Sequence, residues 1–374
     1  MKITGNVLAL SVAASLAASS LAHAQPPGIN RGHAVFLMTN DAQSNEVMAY
    51  TSNEDGTLSS PQKFKTGGRG SGGNADPLSA QGSLSLSQDK NWLFAVNAGS
   101  GTLSVFRVVN SSLILTDQVA TGGAEPVSVT QNGGLVYVLN AAGSSSVVGF
   151  FFQEGHLTPI EGSQRFLSAN GAKPGAVALS PDGRFLLTVE ETGNNVDVFE
   201  VEADGTLSTI AVNPSVGPGA FAVSFAPNGT AIVSQTGTTG ATAAISSYSV
   251  HTNGSLTALS ASVPTLGAAN CWNAITPNGR FVYASNAGSS TLAGFAIGSG
   301  GVLTALPGTI VATNPEGSGN LDITISGNGK FLYSLNSAGG SVGMFAINAD
   351  GTLTNLGTVD GLPAGSSLNG IAAN

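Results

Sequence analysis

A short β-forming run recurs seven times along the chain, and this repeat restricts the fold more than any other feature. The runs are His33-Ala-Val-Phe-Leu-Met-Thr-Asn40, Trp92-Leu-Phe-Ala-Val-Asn97, Leu135-Val-Tyr-Val-Leu-Asn140, Phe185-Leu-Leu-Thr-Val-Glu190, Ala231-Ile-Val-Ser-Gln235, Phe281-Val-Tyr-Ala-Ser-Asn286 and Phe331-Leu-Tyr-Ser-Leu-Asn336. Their last residues stand 57, 43, 50, 45, 51 and 50 residues apart. Such periods belong to repeat architectures, in which one supersecondary unit cannot bury its apolar face alone. A tight turn precedes each run, as in Ser180-Pro-Asp-Gly183 and Pro277-Asn-Gly279. There Pro fixes φ and Gly supplies a positive φ. An alternating strand follows (Thr102-Leu-Ser-Val-Phe106, Ser341-Val-Gly-Met-Phe345), then Asp-Gly-Thr-Leu at 55–58, 204–207 and 350–353, then a weaker fourth strand. Four antiparallel strands per repeat describe a propeller blade. The prediction is an all-β, seven-bladed β-propeller with four-stranded antiparallel blades. The chain enters at a second-position strand and ends on Leu368-Asn-Gly-Ile-Ala-Ala-Asn374. The C-terminal strand is therefore expected to close the N-terminal blade and remove the open sheet edges.

Composition agrees and excludes other classes. Only 9% of residues are charged and 51 of 374 are glycine, which leaves too little Glu, Lys and Arg for long helices or coiled coils. The glycines follow no three-residue period, so a collagen-like chain is excluded. Twelve basic against 21 acidic residues give a net charge of −9, unsuited to a nucleic-acid partner. The single cysteine, Cys271, rules out an internal disulfide and a multi-cysteine zinc site. The basic start Met1-Lys2, the apolar run 7–21 and Ala22-His23-Ala24 predict a signal peptide over 1–24. The expected product is an exported single domain, 25–374, periplasmic or secreted, monomeric and without a membrane span.

The segments Ser180-Pro-Asp-Gly-Arg-Phe-Leu186, Asn195-Val-Asp-Val-Phe199 and Asp204-Gly-Thr-Leu207 resemble the lactonase family of seven-bladed propellers. That family includes bacterial 6-phosphogluconolactonase and the fungal carboxymuconate cyclases. The resemblance covers 33–374 and is closest to an exported bacterial branch, through Gln81-Gly-Ser-Leu-Ser-Leu-Ser87, Asn270-Cys-Trp-Asn273 and Gly361-Leu-Pro-Ala-Gly365. It implies hydrolysis of a small, sugar-type lactone at the mouth of the central channel. The phosphogluconolactonase branch carries Pro-His motifs there. This chain has Glu125-Pro126, Lys173-Pro174 and Gly217-Pro218 instead, which speaks against a phosphorylated sugar.

Loops entering the innermost strands and leaving the second strands share one end of a propeller, and sites gather there. The histidines past the leader are His33, His156 and His251, none expected at that end, so a Ser-His or Cys-His nucleophile is not expected. A carboxylate base with a cationic oxyanion partner remains. The candidate bases are Glu190, Glu125 and Asp322, with Lys173 as the catalytic cation. Arg69, Arg165, Glu191, Trp272 and Asn270 are the substrate-binding candidates. Asn recurs at 40, 97, 140, 286 and 336, with Glu190 and Gln235 in its place elsewhere. These side chains either cap turns or, with Glu190 and Asp322, could ring a Ca²⁺ ion; no other cofactor is expected. Cys271 is expected to be a packed thiol, Trp272 a stacking platform or a channel plug, and loop 66–76 a flexible lid or rim. The alternatives to a lactonase are a non-catalytic propeller binding a ligand, glycan or protein, and a cyclase-type isomerase.

Overall fold

The computed structural model describes residue 1 and residues 33–74, 76–169, 171–238 and 242–374. Past Met1, the leader expected at 1–24 lies outside the described residues. Seven antiparallel sheets form seven blades, with no helix among the described residues. Among the described residues there is thus no helix long and apolar enough to cross a membrane. In chain order the innermost strands of blades 2 to 7 are Leu84–Leu86, Ala124–Asn132, Pro174–Leu179, Ala220–Phe225, Asn270–Ile275 and Asn320–Ile325. Blade 1 takes its innermost strand, Ile371–Ala373, from the C-terminus, pairing Leu37 with Ile371 and Val35 with Ala373. That strand also packs against the innermost strands of blades 7 and 2, so the ring closes as expected. Blade 3 alone departs from four strands: its outer position is split into His156–Pro159 and Arg165–Phe166, both paired with Ser146–Gln153.

The second strands are the seven runs that carry the repeat. Five of them are buried along their whole length in blades 1, 4, 5, 6 and 7. Both faces of such a strand lie against neighbouring sheets, so the run is apolar rather than alternating. This accounts for a positive mean hydropathy of +0.21.

The Asp-Gly-Thr-Leu motif staples one blade to the next. Asp55, Asp204 and Asp350 each accept a 2.7 Å bond from the hydroxyl of the Thr two residues on. These bonds hold the three carboxyls below the usual range. The following glycine has φ of 85°, 79° and 87° at Gly56, Gly205 and Gly351, a conformation that L side chains rarely adopt. A Cβ on Gly56 would also sit 2.3 Å from the Phe331 ring, and one on Gly351 2.6 Å from the Phe281 ring. The glycine carbonyl then accepts the buried tyrosine hydroxyl of the preceding blade: Tyr137 to Gly205 at 2.8 Å, Tyr283 to Gly351 at 2.8 Å, Tyr333 to Gly56 at 3.2 Å.

Candidate functional site

The end of the ring that receives each new blade is built by one device. In blades 3 to 7 the residue immediately before the inner-strand bulge is left-handed: Glu125, Lys173, Gly219, Ala269 and Gly319, with φ between 47° and 74°. A bulge follows at once, for example between Pro174 and Ala176, and bulges re-aim strand ends. Glycine holds this backbone without strain in two blades. A side chain there costs about 1 kcal/mol, so Glu125 and Lys173 stand on the rim at an energetic cost.

Segment 76–82 crosses the channel at this end. Ala80 O accepts the Trp272 indole N–H at 3.1 Å, and Gln81 Oε1 accepts the Asn273 N–H at 2.9 Å. Gln81 N donates to Gly175 O at 2.8 Å, and Ser128 Oγ donates to Gln81 O at 2.6 Å. Asn369 Nδ2 reaches Asp76 Oδ1 at 3.3 Å. One loop thus ties the innermost strands of blades 3, 4 and 6 to the C-terminal strand. Gly175 is required by the close approach of the blade 4 and blade 5 inner strands, since its Cβ would fall 2.0 Å from Phe221 O. Trp272 is fully buried, edge-on to Phe221 with centroids 5.2 Å apart, and serves as part of the plug.

Burial dominates the electrostatics around the plug. Asp76 is pushed up to about 7 by burial, with the charge of Glu191 adding to it. Asp322, 3% exposed, is pushed up to about 8 by burial, against N–H bonds from Ile323 and Ile371; the charge of Asp76 raises it further. The Cys271 thiol is driven well above its usual value by burial and then by Asp76 and Glu191, which keeps it unreactive.

Beside the plug a cavity of about 240 Å³ lies among the innermost strands of blades 1, 2 and 7. Gln81 and Asp322 line it on the plugged side, and Lys90 lines it from the turn beyond Leu84–Leu86. Lys90 fills the left-handed turn position (φ 59°) held by Gly183, Gly229, Gly279 and Gly329 in other blades. The equivalence is fixed by one bond: Lys90 N to Ser87 O, like Gly183 N to Ser180 O, at 2.9 Å. Burial lowers the Lys90 pKa, and the Asp89 charge opposes the shift. A larger groove of about 540 Å³ lies at the opposite turns of blades 4 and 5. Its Asp182 is already held by Ser180 Oγ and Arg184 N.

The residues expected from the sequence are dispersed. Glu125 is half-buried, Lys173 is exposed and Glu191 is half-buried beside it, with Glu191 N bonded to Lys173 O at 3.2 Å. Arg69 is exposed on the connection between blades 1 and 2. Asn270 is buried, its Nδ2 2.6 Å from Ala244 O. Arg165 is not at the mouth: it lies in the outer strand of blade 3 and donates to the carbonyls of Ser208, Gly162 and Gln164. Its place follows from the split outer strand. Glu190 is fully buried, where it accepts bonds from Ser168 N at 2.8 Å, Ser168 Oγ at 2.5 Å and Asn195 Nδ2 at 3.3 Å. It does not meet Asp322, which belongs to blade 7. Beside Glu190, Asp197 is pushed up to about 8 by burial, then by the charge and the hydrogen bond of Glu190.

The recurrent Asn side chains act locally. Glycines of the incoming connections press on them, with added Cβ atoms falling 2.3–2.6 Å from Asn97, Asn140, Gln235 and Asn286 at Gly68, Gly123, Gly217 and Gly267. Residues 66–71 of the glycine-rich loop are likewise fastened: Thr66 Oγ1 donates to Asn97 Oδ1, Gly70 N to Asp41 O and Ser71 N to Asn40 Oδ1. Of the expected flexible lid or rim, these residues form a rim pinned by hydrogen bonds, whose glycines permit close approach.

The family model described as "Lactonase, 7-bladed beta-propeller" matches residues 32–166, 144–272 and 269–364. The chain belongs to this lactonase family. Similar solved structures include a Bacteroides uniformis protein provisionally described as a 6-phosphogluconolactonase, at 21% identity and TM-score 0.70. The match covers 92% of this chain and 100% of that one. The periplasmic gluconolactonase PpgL of Pseudomonas aeruginosa is 20% identical with TM-score 0.68, covering 90% and 98%. A Lactobacillus plantarum protein is 21% identical with TM-score 0.68 over the same shares. At these identities the likeness concerns the fold. No curated protein matches the chain.

Two residues around the plug and its cavity were not among the candidates chosen from the sequence. Lys90 had a signal, because Ser87-Gln-Asp-Lys90 replaces the turn glycine with lysine. Asp76 had none beyond its place in a glycine-rich loop, since its burial depends on the loop crossing the channel.

Proposed function

We propose that this lactonase-family protein is an exported hydrolase of small, single-ring lactones, acting in the channel cavity. The observation that carries the reading is Asp322. It is a carboxyl on the cavity wall whose pKa of about 8 suits proton transfer near neutral pH. Lys90 lines the same cavity at a strained turn position that glycine fills elsewhere. Ionised Asp322 would take the proton of an attacking water. The water oxygen would bond to the lactone carbonyl carbon, and the Lys90 ammonium would stabilise the oxyanion. The ring C–O bond would then break, with the proton passing from Asp322 to the leaving alkoxide. A cavity of about 240 Å³ is smaller than the roughly 300 Å³ at which ordinary ligand sites begin and favours one ring over an extended substrate. The apolar run and Ala-x-Ala sequence of residues 1–24 support export.

The test is a pH-stat assay across a panel of five- and six-membered lactones. Turnover should rise with pH through about 8 and be lost in Asp322→Asn. Absence of turnover above buffer on every lactone would remove the hydrolase and leave a ligand-binding propeller.

A further inference from the structure

Blade 4 departs from its sisters at one pair of facing positions. In blade 2 the second-strand Asn97 donates through Nδ2 to Ser104 Oγ at 2.8 Å. In blade 5 Ser246 Oγ donates to Gln235 Oε1 at 3.0 Å. The matching residues of blade 4 are Glu190 and Asp197, placed by the pairings Glu190–Asn195 and Thr188–Asp197. Both are fully buried. Two acids now meet where an amide and a hydroxyl satisfied each other, and neither ionised carboxylate can donate.

The surroundings do not repair the mismatch. Apart from the facing Glu190 carboxyl, nothing donates a hydrogen bond to either Asp197 oxygen, and the hydroxyl of Thr188, fully buried and directly opposite Asp197 on the same face of the sheet, has no partner. Among the described residues no Lys or Arg nitrogen lies within 4.0 Å of the Glu190 or Asp197 carboxylate. Glu190 is held from outside by Ser168 and Asn195. Gly193 closes over it, since a Cβ there would fall 2.8 Å from Glu190 Oε2. Burying two like charges side by side is very costly unless something positive joins them.

We propose that a hard divalent cation, Ca²⁺ by preference, binds between Glu190 and Asp197, with Thr188 Oγ1 as a neutral ligand. Every donor atom is oxygen, which selects Ca²⁺ or Mg²⁺ over softer metals. Two carboxylates match a double charge. Ca²⁺ tolerates irregular oxygen sets, whereas Mg²⁺ demands a near-ideal octahedron. Through Glu190 and Ser168 the ion would fasten the connection from blade 3 to blade 4. This site is separate from the channel cavity and independent of any lactone chemistry.

The experiment uses the whole chain, stripped with a chelator, and titrates CaCl₂ by calorimetry, with MgCl₂ in parallel. Thermal melts are recorded with and without 1 mM Ca²⁺. One equivalent of Ca²⁺ should bind and raise Tm by several degrees. The double variant Glu190→Asn with Asp197→Ser, which copies the neutral pair of blade 2, should fold and lose both responses. No Ca²⁺ binding to the stripped wild type would overturn the proposal and leave a proton shared by the two acids. An undiminished response in the double variant would also overturn it. Should that variant fail to fold, the calorimetry on wild type still decides.

Discussion

Deleting residues 366–374 removes the strand that closes the ring, and its cost can be worked from the contacts. Leu368 and Ile371 are 1% and 4% exposed. Burying side chains of this size contributes about 2–3 kcal/mol each, so roughly 5 kcal/mol is lost from these two. The backbone loses the ladder to Ala34–Met38, including Met38 N to Gly370 O at 3.2 Å and Asn374 N to Ala34 O at 3.1 Å. At about 1 kcal/mol per bond, another 3–5 kcal/mol goes. Innermost strands of blades 2 and 7 also lose their shared neighbour. A total near 10 kcal/mol is comparable to the whole stability of a typical domain, about 5–15 kcal/mol. The truncated chain should therefore lack a cooperative transition in urea, followed by far-UV circular dichroism. Leu368→Ala is the graded companion: about 3 kcal/mol should lower Tm by roughly 4 °C for a domain of this size. A truncated protein that melts within 2 °C of wild type would refute blade closure as a source of stability.

Further outcomes can be checked independently. Tyr283→Phe removes one blade staple and leaves the Gly351 carbonyl unpaired, costing about 1 kcal/mol in a urea titration. Lys90→Gly relieves the left-handed turn and should raise stability by about 1 kcal/mol while lowering lactone turnover; loss of stability in this variant would contradict the strain argument. Asp76 and Asp322 carry pKa values of about 7 and 8 in the fold, above the unfolded value near 3.9. The fold keeps protons that the unfolded chain has lost. Their contribution to stability is thus fully present below about pH 4 and disappears as pH rises through about 7 and 8, at up to about 1.4 kcal/mol per pH unit for each proton. Urea midpoints should fall from pH 5 to pH 8.5, and less so in Asp322→Asn.

The seven runs, the Pro-Asp-Gly turns and Asp-Gly-Thr-Leu were sufficient to establish blade number, strand order and the closing strand. These features are local or periodic, so the chain displays them directly: period in the strands, positive φ in the glycines. The charge-poor stretch between Asp204 and Glu316, with only Arg280 charged in 111 residues, also concentrates attention on a few carboxylates. Which of them matter was decided by tertiary structure. Trp272 meets Ala80 across 192 residues, and this contact sets the plug and the burial of Asp76. Glu190, a repeat-breaking acid in sequence, is enclosed by Ser168 and Gly193 rather than facing the channel. Asp322 and Lys90 share one cavity although their surroundings in sequence give no hint of each other. Desolvation and convergence are properties of packing between distant segments. A periodic sequence specifies the scaffold strongly, but only the closed ring determines which charges are buried, which are paired, and which face a common space.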